Sequence, residues 1–170
     1  RVEPEVGEAK IRAGAFDFLA LGRKLLADPF LPRKLAAGRT DDIRPCIYCY
    51  TCVSAIYTSD ATRCAVNSSC GFEYLRQTRP KAERQRHVVI GGGPGGMEAA
   101  CRLDELGHEV ILLEAGTQLG GTLPFAALAY EPNQRLLDWL RRRVAASTVE
   151  IRLNTSASVD LVSRLEPAVV

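Results

Sequence analysis

Along the chain, the rhythm of apolar and polar positions changes several times, and each change predicts an element. Residues 5–13 are helix-compatible and end at Gly14, a stop signal. Phe16-Asp17-Phe18-Leu19-Ala20-Leu21 is short and mostly apolar, the pattern of a buried parallel strand. It leads into Gly22-Arg23, then a helical segment over residues 24–27 closed by Asp28-Pro29. A short basic helix is expected near residues 33–37, with Gly38 as its stop, and residues 53–63 read as a loop. The second half is more regular. His87-Val88-Val89-Ile90 predicts a strand, and Gly96, Ala99, Ala100, Leu103 and Leu106 share one face of a helix that stops at Gly107. On this reading Met97 and Cys101 fall off that face and pack against a neighbouring domain. Val110-Ile111-Leu112-Leu113 predicts a second strand, ending in Glu114. Leu136, Leu137, Leu140 and Val144 recur at helical spacing, with Arg141-Arg142-Arg143 turned mostly away, as a solvated face or else a domain or partner contact. Val149, Ile151 and Leu153 alternate with Glu150, Arg152 and Asn154, as in a half-buried strand. The expected class is α/β.

Composition narrows this picture only slightly. The 170 residues are 46% apolar and 25% charged, with a net charge of +2, which is ordinary soluble composition and does not suggest nucleic acid. No apolar run has the length needed to span a bilayer. Arg1-Val2-Glu3-Pro4 is neither an initiator methionine nor a signal peptide, and the chain stops at Val170 within a strand-like pattern. It therefore reads as a fragment. The polar, basic, proline-broken stretch at residues 77–86 reads as a solvated linker. Nothing about His87 or His108, at the strand starts, points to catalysis or metal ligation.

The cysteines change the picture most. Cys46, Cys49 and Cys52 stand at CxxCxxC spacing, with Cys64 further along to complete four thiolates. That ligand type and number is what a [4Fe–4S] cluster uses. Thiolates at this spacing also suit zinc, although zinc sites usually arrive as two separated CxxC pairs, and plain buried or disulfide-bonded cysteine is a third reading. Tyr48 and Tyr50 would shield such a site without a redox role, and Cys70 is expected as a free, partly buried thiol. Unpaired cysteines fit a reducing compartment, hence the cytoplasm.

Glycine-rich turns supply the other chemistry. Gly91, Gly93 and Gly96 match GxGxxG between a strand and a helix, and Glu114 ends the next strand. Glycines let backbone approach a pyrophosphate, the helix N-terminus offers free N–H groups, and the acid can accept from ribose hydroxyls. Glu114 also disfavours a 2′-phosphate, which argues for FAD, NAD or ADP and against NADP. Leu119-Gly120-Gly121 favours a flavin-type half-site, with backbone at Gly121 close to the nucleotide. Gly22-Arg23 before a helix could hold a phosphate or simply ease a turn.

Four motifs in order carry a resemblance: Phe18-Leu19-Ala20-Leu21-Gly22-Arg23 with Ala27-Asp28-Pro29; Ile43-Arg44-Pro45-Cys46-Ile47-Tyr48-Cys49; Cys64-Ala65-Val66-Asn67; and the glycine loop. In this order they resemble the multidomain old yellow enzyme family, the branch of 2,4-dienoyl-CoA reductase and trimethylamine dehydrogenase. The resemblance implies that residues 1–40 are the last βα unit of an FMN-binding TIM barrel with an extra helix, Gly22 and Arg23 holding the FMN phosphate. Residues 41–76 would be the iron–sulfur segment, with Cys46, Cys49, Cys52 and Cys64 as ligands. Residues 87–170 would be the first half of a Rossmann-like domain carrying FAD or ADP, after the linker at 77–86. Most of the barrel, its substrate pocket and its catalytic residues are absent, so no catalytic residue is assigned. The implied activity is NAD(P)H:flavin oxidoreduction, with electrons passing between NAD(P)H, FAD, the cluster and FMN to reduce or oxidise a small enoate, dienoyl or amine substrate. The fragment alone is expected to be inactive. No nucleic-acid or membrane partner is expected, and homo-oligomerisation is left open. Two rivals remain: a non-catalytic electron-transfer or nucleotide-binding module, and a zinc-stapled interaction module.

Overall fold

The computed structural model describes residues 3–58, 61–78 and 83–170. Its first part is helical: α1 (Pro4–Arg12), α2 (Arg23–Ala27), α3 (Leu31–Ala36), a 3-10 turn (Thr40–Asp42), α4 (Thr51–Thr58) and α5 (Glu73–Thr78). The second part alternates: β1 (Arg86–Ile90), α6 (Pro94–Glu105), β2 (Glu109–Leu113), α7 (Leu123–Ala129), α8 (Glu131–Ala145), β3 (Glu150–Arg152) and α9 (Val159–Arg164). The strands form one parallel sheet in the order β1-β2-β3, with Val88 opposite Ile111 and Leu112 opposite Ile151. A further parallel bridge joins His87 to Val169. Each face of the sheet is covered, because β2 alternates its side chains. Val110 and Leu112 enter a core with Met97, Ala100, Cys101, Leu136, Leu137, Trp139, Leu140 and Val144, whereas Ile111 and Leu113 join Val88 under Leu161, Val162 and Leu165. Helices on both faces of a parallel sheet make this a doubly wound α/β arrangement.

The strands β1 and β2, the helices α6 and α8 and the stops at Gly14, Gly38 and Gly107 agree with the sequence reading. All three glycines hold the left-handed conformation (φ 69°, 68° and 89°). Several expectations are corrected. Residues 16–21 form no strand, and Phe18 is 90% exposed, because nothing among the described residues pairs with that segment. Most of the loop expected over 53–63 is helix α4, although residues 59–60 lie outside the described residues. Met97 and Cys101 lie in the core, 0% and 2% exposed, because α8 packs on the side of α6 taken as outward. Arg141 and Arg143 are not solvated: each is bound to neighbouring loops or helices. The half-buried alternation at 149–153 holds only for Val149, since Ile151 and Leu153 are exposed at the sheet edge. The linker expected over 77–86 lies partly outside the described residues, at 79–82, and its start belongs to α5.

Candidate functional site

The glycine turn is built by close backbone approach. Gly91 has φ 97°, and its N–H bonds the Leu113 carbonyl at 2.8 Å, tying the end of β1 to the end of β2. A Cβ on Gly96 would run into the Gly91 carbonyl oxygen, so only glycine lets α6 start so near the strand. Gly93 is the N-cap and Pro94 the first helical residue. Met97 N–H already bonds the Gly93 carbonyl, so the N–H groups ahead of it, at Gly95 and Gly96, have no intrahelical acceptor.

Glu114 stands at this turn. Its two carboxylate oxygens accept the backbone N–H groups of Gly92 and Gly116, each at 2.6 Å. These two bonds, Gly116 first, hold its carboxyl below the usual carboxylate range, so it is anionic at neutral pH. The segment 118–121 closes over the same place. Gly120 N–H bonds the Gly92 carbonyl at 2.8 Å, Gly121 has φ 55°, and a Cβ on Gly121 would come within 3.1 Å of the Gly93 Cα. The structure thus brings Gly91, Gly93, Gly96, Glu114 and Gly121 to one end of the sheet. It is an anionic acid beside a backbone cradle of free donors, the arrangement that suits a ribose next to a pyrophosphate.

The second constellation is the cysteine pocket. Cys46, Cys49, Cys52 and Cys64 line one small pocket together with Arg23, Tyr48, Tyr50 and Val66. All six cysteines are free thiols. Tyr48 and Tyr50 hold positive φ (55° and 62°), which folds the CxxCxxC segment back on itself, and Tyr48 N–H points at the Cys46 sulfur at 3.4 Å. Burial pushes the Cys46 thiol up, opposed by that N–H and by the Arg23 guanidinium. As they stand, no three His, Cys, Asp or Glu side chains among the described residues are close enough together to hold a metal ion. Cys70 is free as expected, but fully buried at 4% exposure.

Arg23 sits at the pocket wall rather than in solvent. Its guanidinium lies 5.2 Å from the Tyr48 ring and 4.7 Å from the Tyr50 ring, and its Nη1 is buried with no hydrogen-bond partner. A buried cationic donor without an acceptor is costly unless an anionic group meets it. Gly22, by contrast, is exposed, with open space where a Cβ would stand.

Residues without a sequence signal hold the two constellations together. Glu98, on α6 just after the glycine turn, accepts Arg44 Nη2 at 3.2 Å, Ser68 Oγ at 3.1 Å and Arg143 Nη1. Arg44 also donates to the Val66 carbonyl at 2.6 Å and lies 4.7 Å from the Trp139 ring, and Trp139 Nε1 donates to the Asp42 carbonyl at 3.1 Å. The paired charges fall on different elements, far apart in the chain, so no local pattern could announce them. The His87 and His108 rings lie with centroids 4.5 Å apart, their planes tilted by 59°. Burial, then His108, pulls the His87 pKa down.

A doubly wound sheet with a glycine turn, an acid at the end of β2 and helix N–H groups left free defines a dinucleotide-binding module, here joined to a thiol-lined pocket. A model of the pyridine nucleotide-disulphide oxidoreductase family matches residues 69–164, more than half of the 170 residues, and the chain belongs to that family. It is 39% identical to a bilirubin reductase of Mediterraneibacter gnavus (strain CC55_001C), over 98% of this chain and 26% of that protein. It is 32% identical to a multifunctional alkene reductase/demethylase OYE of Caballeronia cordobensis, over 88% of this chain and 22% of that one. Among solved structures, the 6-hydroxypseudooxynicotine amine oxidase of Pseudomonas geniculata N1 superposes with a TM-score of 0.87 at 33% identity, covering 98% of this chain and 26% of its own. The resemblance to multidomain old yellow enzyme-type flavoproteins, read from the order of four motifs, is borne out by these relatives. The chain spans about a quarter of the length of the proteins it matches.

Proposed function

We propose that the parent protein is an iron–sulfur flavoprotein oxidoreductase acting on a small enoate, dienoyl or amine-type substrate with NAD(P)H as electron donor. The single observation that carries this reading is that the four spaced cysteines converge on one pocket, in the same chain as a complete glycine-turn nucleotide cradle. In it, Cys46, Cys49, Cys52 and Cys64 hold a [4Fe–4S] cluster. A single zinc ion draws four ligands to one point, about 2.3 Å from each sulfur, whereas a cubane takes its thiolates at four separate corners. Four thiols around one pocket supply that ligand set.

Gly91, Gly93, Gly96, Glu114 and Gly121 bind the adenine-nucleotide part of FAD, or ADP. Glu114 faces the ribose, the free N–H groups of α6 face the pyrophosphate, and the negative charge at Glu114 excludes a 2′-phosphate. Gly22 and Arg23, at the start of α2, hold the FMN phosphate. When bound, the cluster supplies one-electron relay and the flavins supply hydride and electron chemistry. The chain's own part is to bind, to orient and to hold a fixed separation: the Glu98–Arg44–Arg143 network ties the cysteine segment to the helix that begins at the glycine turn.

Residues 1–40 belong with the end of a TIM barrel, 41–76 with the cluster, 77–86 with a linker and 87–170 with the nucleotide domain. The exposed Phe18 segment is where the barrel's remaining strands join. Free thiols suit the cytoplasm; no helix among the described residues is long and apolar enough to cross a membrane. Acid extraction of the full-length protein tests the reading. The expected result is release of FMN together with FAD or ADP, and an extract with neither contradicts it.

A further inference from the structure

Arg141 belongs to the arginine run that the sequence pattern turns mostly away from the core, yet its guanidinium is spent on a loop. Its Nε and Nη2 both donate to the Leu119 carbonyl, at 3.0 and 2.5 Å, and Nη2 also donates to Gln118 Oε1 at 3.0 Å. Leu119 is the keystone of the segment over the glycine turn. Its side chain is 9% exposed and occupies the space a Cβ on Gly92 would need. The next residue's N–H bonds the Gly92 carbonyl, and Gly121 then comes down on Gly93. A cation on α8 therefore fixes the height of the 118–121 segment above the phosphate end of the cradle. It touches neither Glu114 nor the ribose end.

We propose that Arg141 is a positioning residue for the pyrophosphate of the bound nucleotide, acting through the Leu119 carbonyl to hold Gly120 and Gly121 against the glycine turn. This rests on the nucleotide-binding reading above. Releasing the loop should loosen contacts at the phosphates and leave adenosine recognition at Glu114 alone, a separation that general destabilisation would not produce.

The test is calorimetric titration of the full chain with ADP and, separately, with adenosine, for wild type, Arg141→Gln and Arg141→Lys. Losing a charge-assisted hydrogen bond predicts that Arg141→Gln weakens ADP binding about tenfold. Adenosine affinity should hold within about twofold, and Arg141→Lys, which still reaches the carbonyl with one donor, should recover part of the loss. Unchanged ADP affinity in Arg141→Gln overturns the proposal, as does equal weakening of both ligands. Should Arg141→Gln fail to fold, Arg141→Lys, which keeps only one donor for the Leu119 carbonyl, must show a smaller but still ADP-selective loss; its absence also overturns the proposal. A wild-type chain that does not bind ADP sinks the nucleotide reading itself and this inference with it.

Discussion

Gly95 and Gly96 are adjacent, and both sit in the first turn of α6, yet the structure treats them oppositely. A Cβ at Gly95 meets nothing within 4 Å, whereas at Gly96 it meets backbone that cannot rotate away. Gly96→Ala is therefore expected to destabilise the chain by about 3 kcal/mol, at the upper end for overpacking, and Gly95→Ala to be neutral or to stabilise by about 0.5–1 kcal/mol. Urea denaturation of both variants checks this, and equal costs would contradict the close approach. Glu114 gives a prediction in pH. Its folded-state pKa lies below the ordinary 4.5 because two N–H groups favour the charged form. The stability it contributes is thus fully present above that ordinary value and is lost as pH falls through the folded pKa. The gap in unfolding midpoint between wild type and Glu114→Ala should be constant near neutrality and shrink as the pH is taken below about 4. A gap that stays constant into acid would show that the two bonds do not favour the anion.

Among the elements, the α6–α8 pair and its ion network join the helical first part to the sheet. Arg44 is 8% exposed and the side chain of its partner Glu98 16%, so Arg44→Ala leaves a largely enclosed carboxylate with fewer donors. The expected cost is about 3 kcal/mol by denaturant unfolding, and a cost near zero would mean the network is solvated. At this scale the sequence was informative wherever an element is specified by its own residues. The strands β1 and β2 carry apolar runs bounded by turn signals, and α8 carries Leu136, Leu137, Leu140 and Val144 at helical spacing. Residues 16–21 misled because a strand exists only through its neighbours, and an apolar run cannot say whether they are present. Helix α4 was read as part of a loop because residues 53–63 were taken only as the short connection that returns Cys64 to the other cysteines, and Thr51–Thr58 carries no charged residue or Pro to mark a helix start or stop. The stripe on α6 was misjudged by about one position: its small residues suggested the contact face, whereas Met97, Ala100 and Cys101 fill the core. Of the site, the glycines, Glu114 and the cysteines were legible because their chemistry depends on short spacings. Arg141, Arg44 and Glu98 were not, because each meets its partner only after the chain has folded.

Across the molecule, the thiol-lined pocket and the nucleotide cradle stand in one chain, and the proposed cluster divides the cysteines by role. Cys70 and Cys101 are buried and outside the pocket walls, and burial pushes the Cys101 thiol up to about 11, so neither is poised as a thiolate. Cys70→Ser should leave the iron content unchanged, whereas Cys64→Ser should remove most of it, read by elemental analysis of the full-length variants. Iron retained in Cys64→Ser would break the assignment of the fourth ligand. The most direct measurement is iron and acid-labile sulfide in the full-length protein purified without oxygen. The proposed [4Fe–4S] cluster requires iron and sulfide in equal amounts, about four of each per chain, with a visible absorption band that bleaches on reduction. Zinc without sulfide, or a colourless protein free of iron, would contradict it.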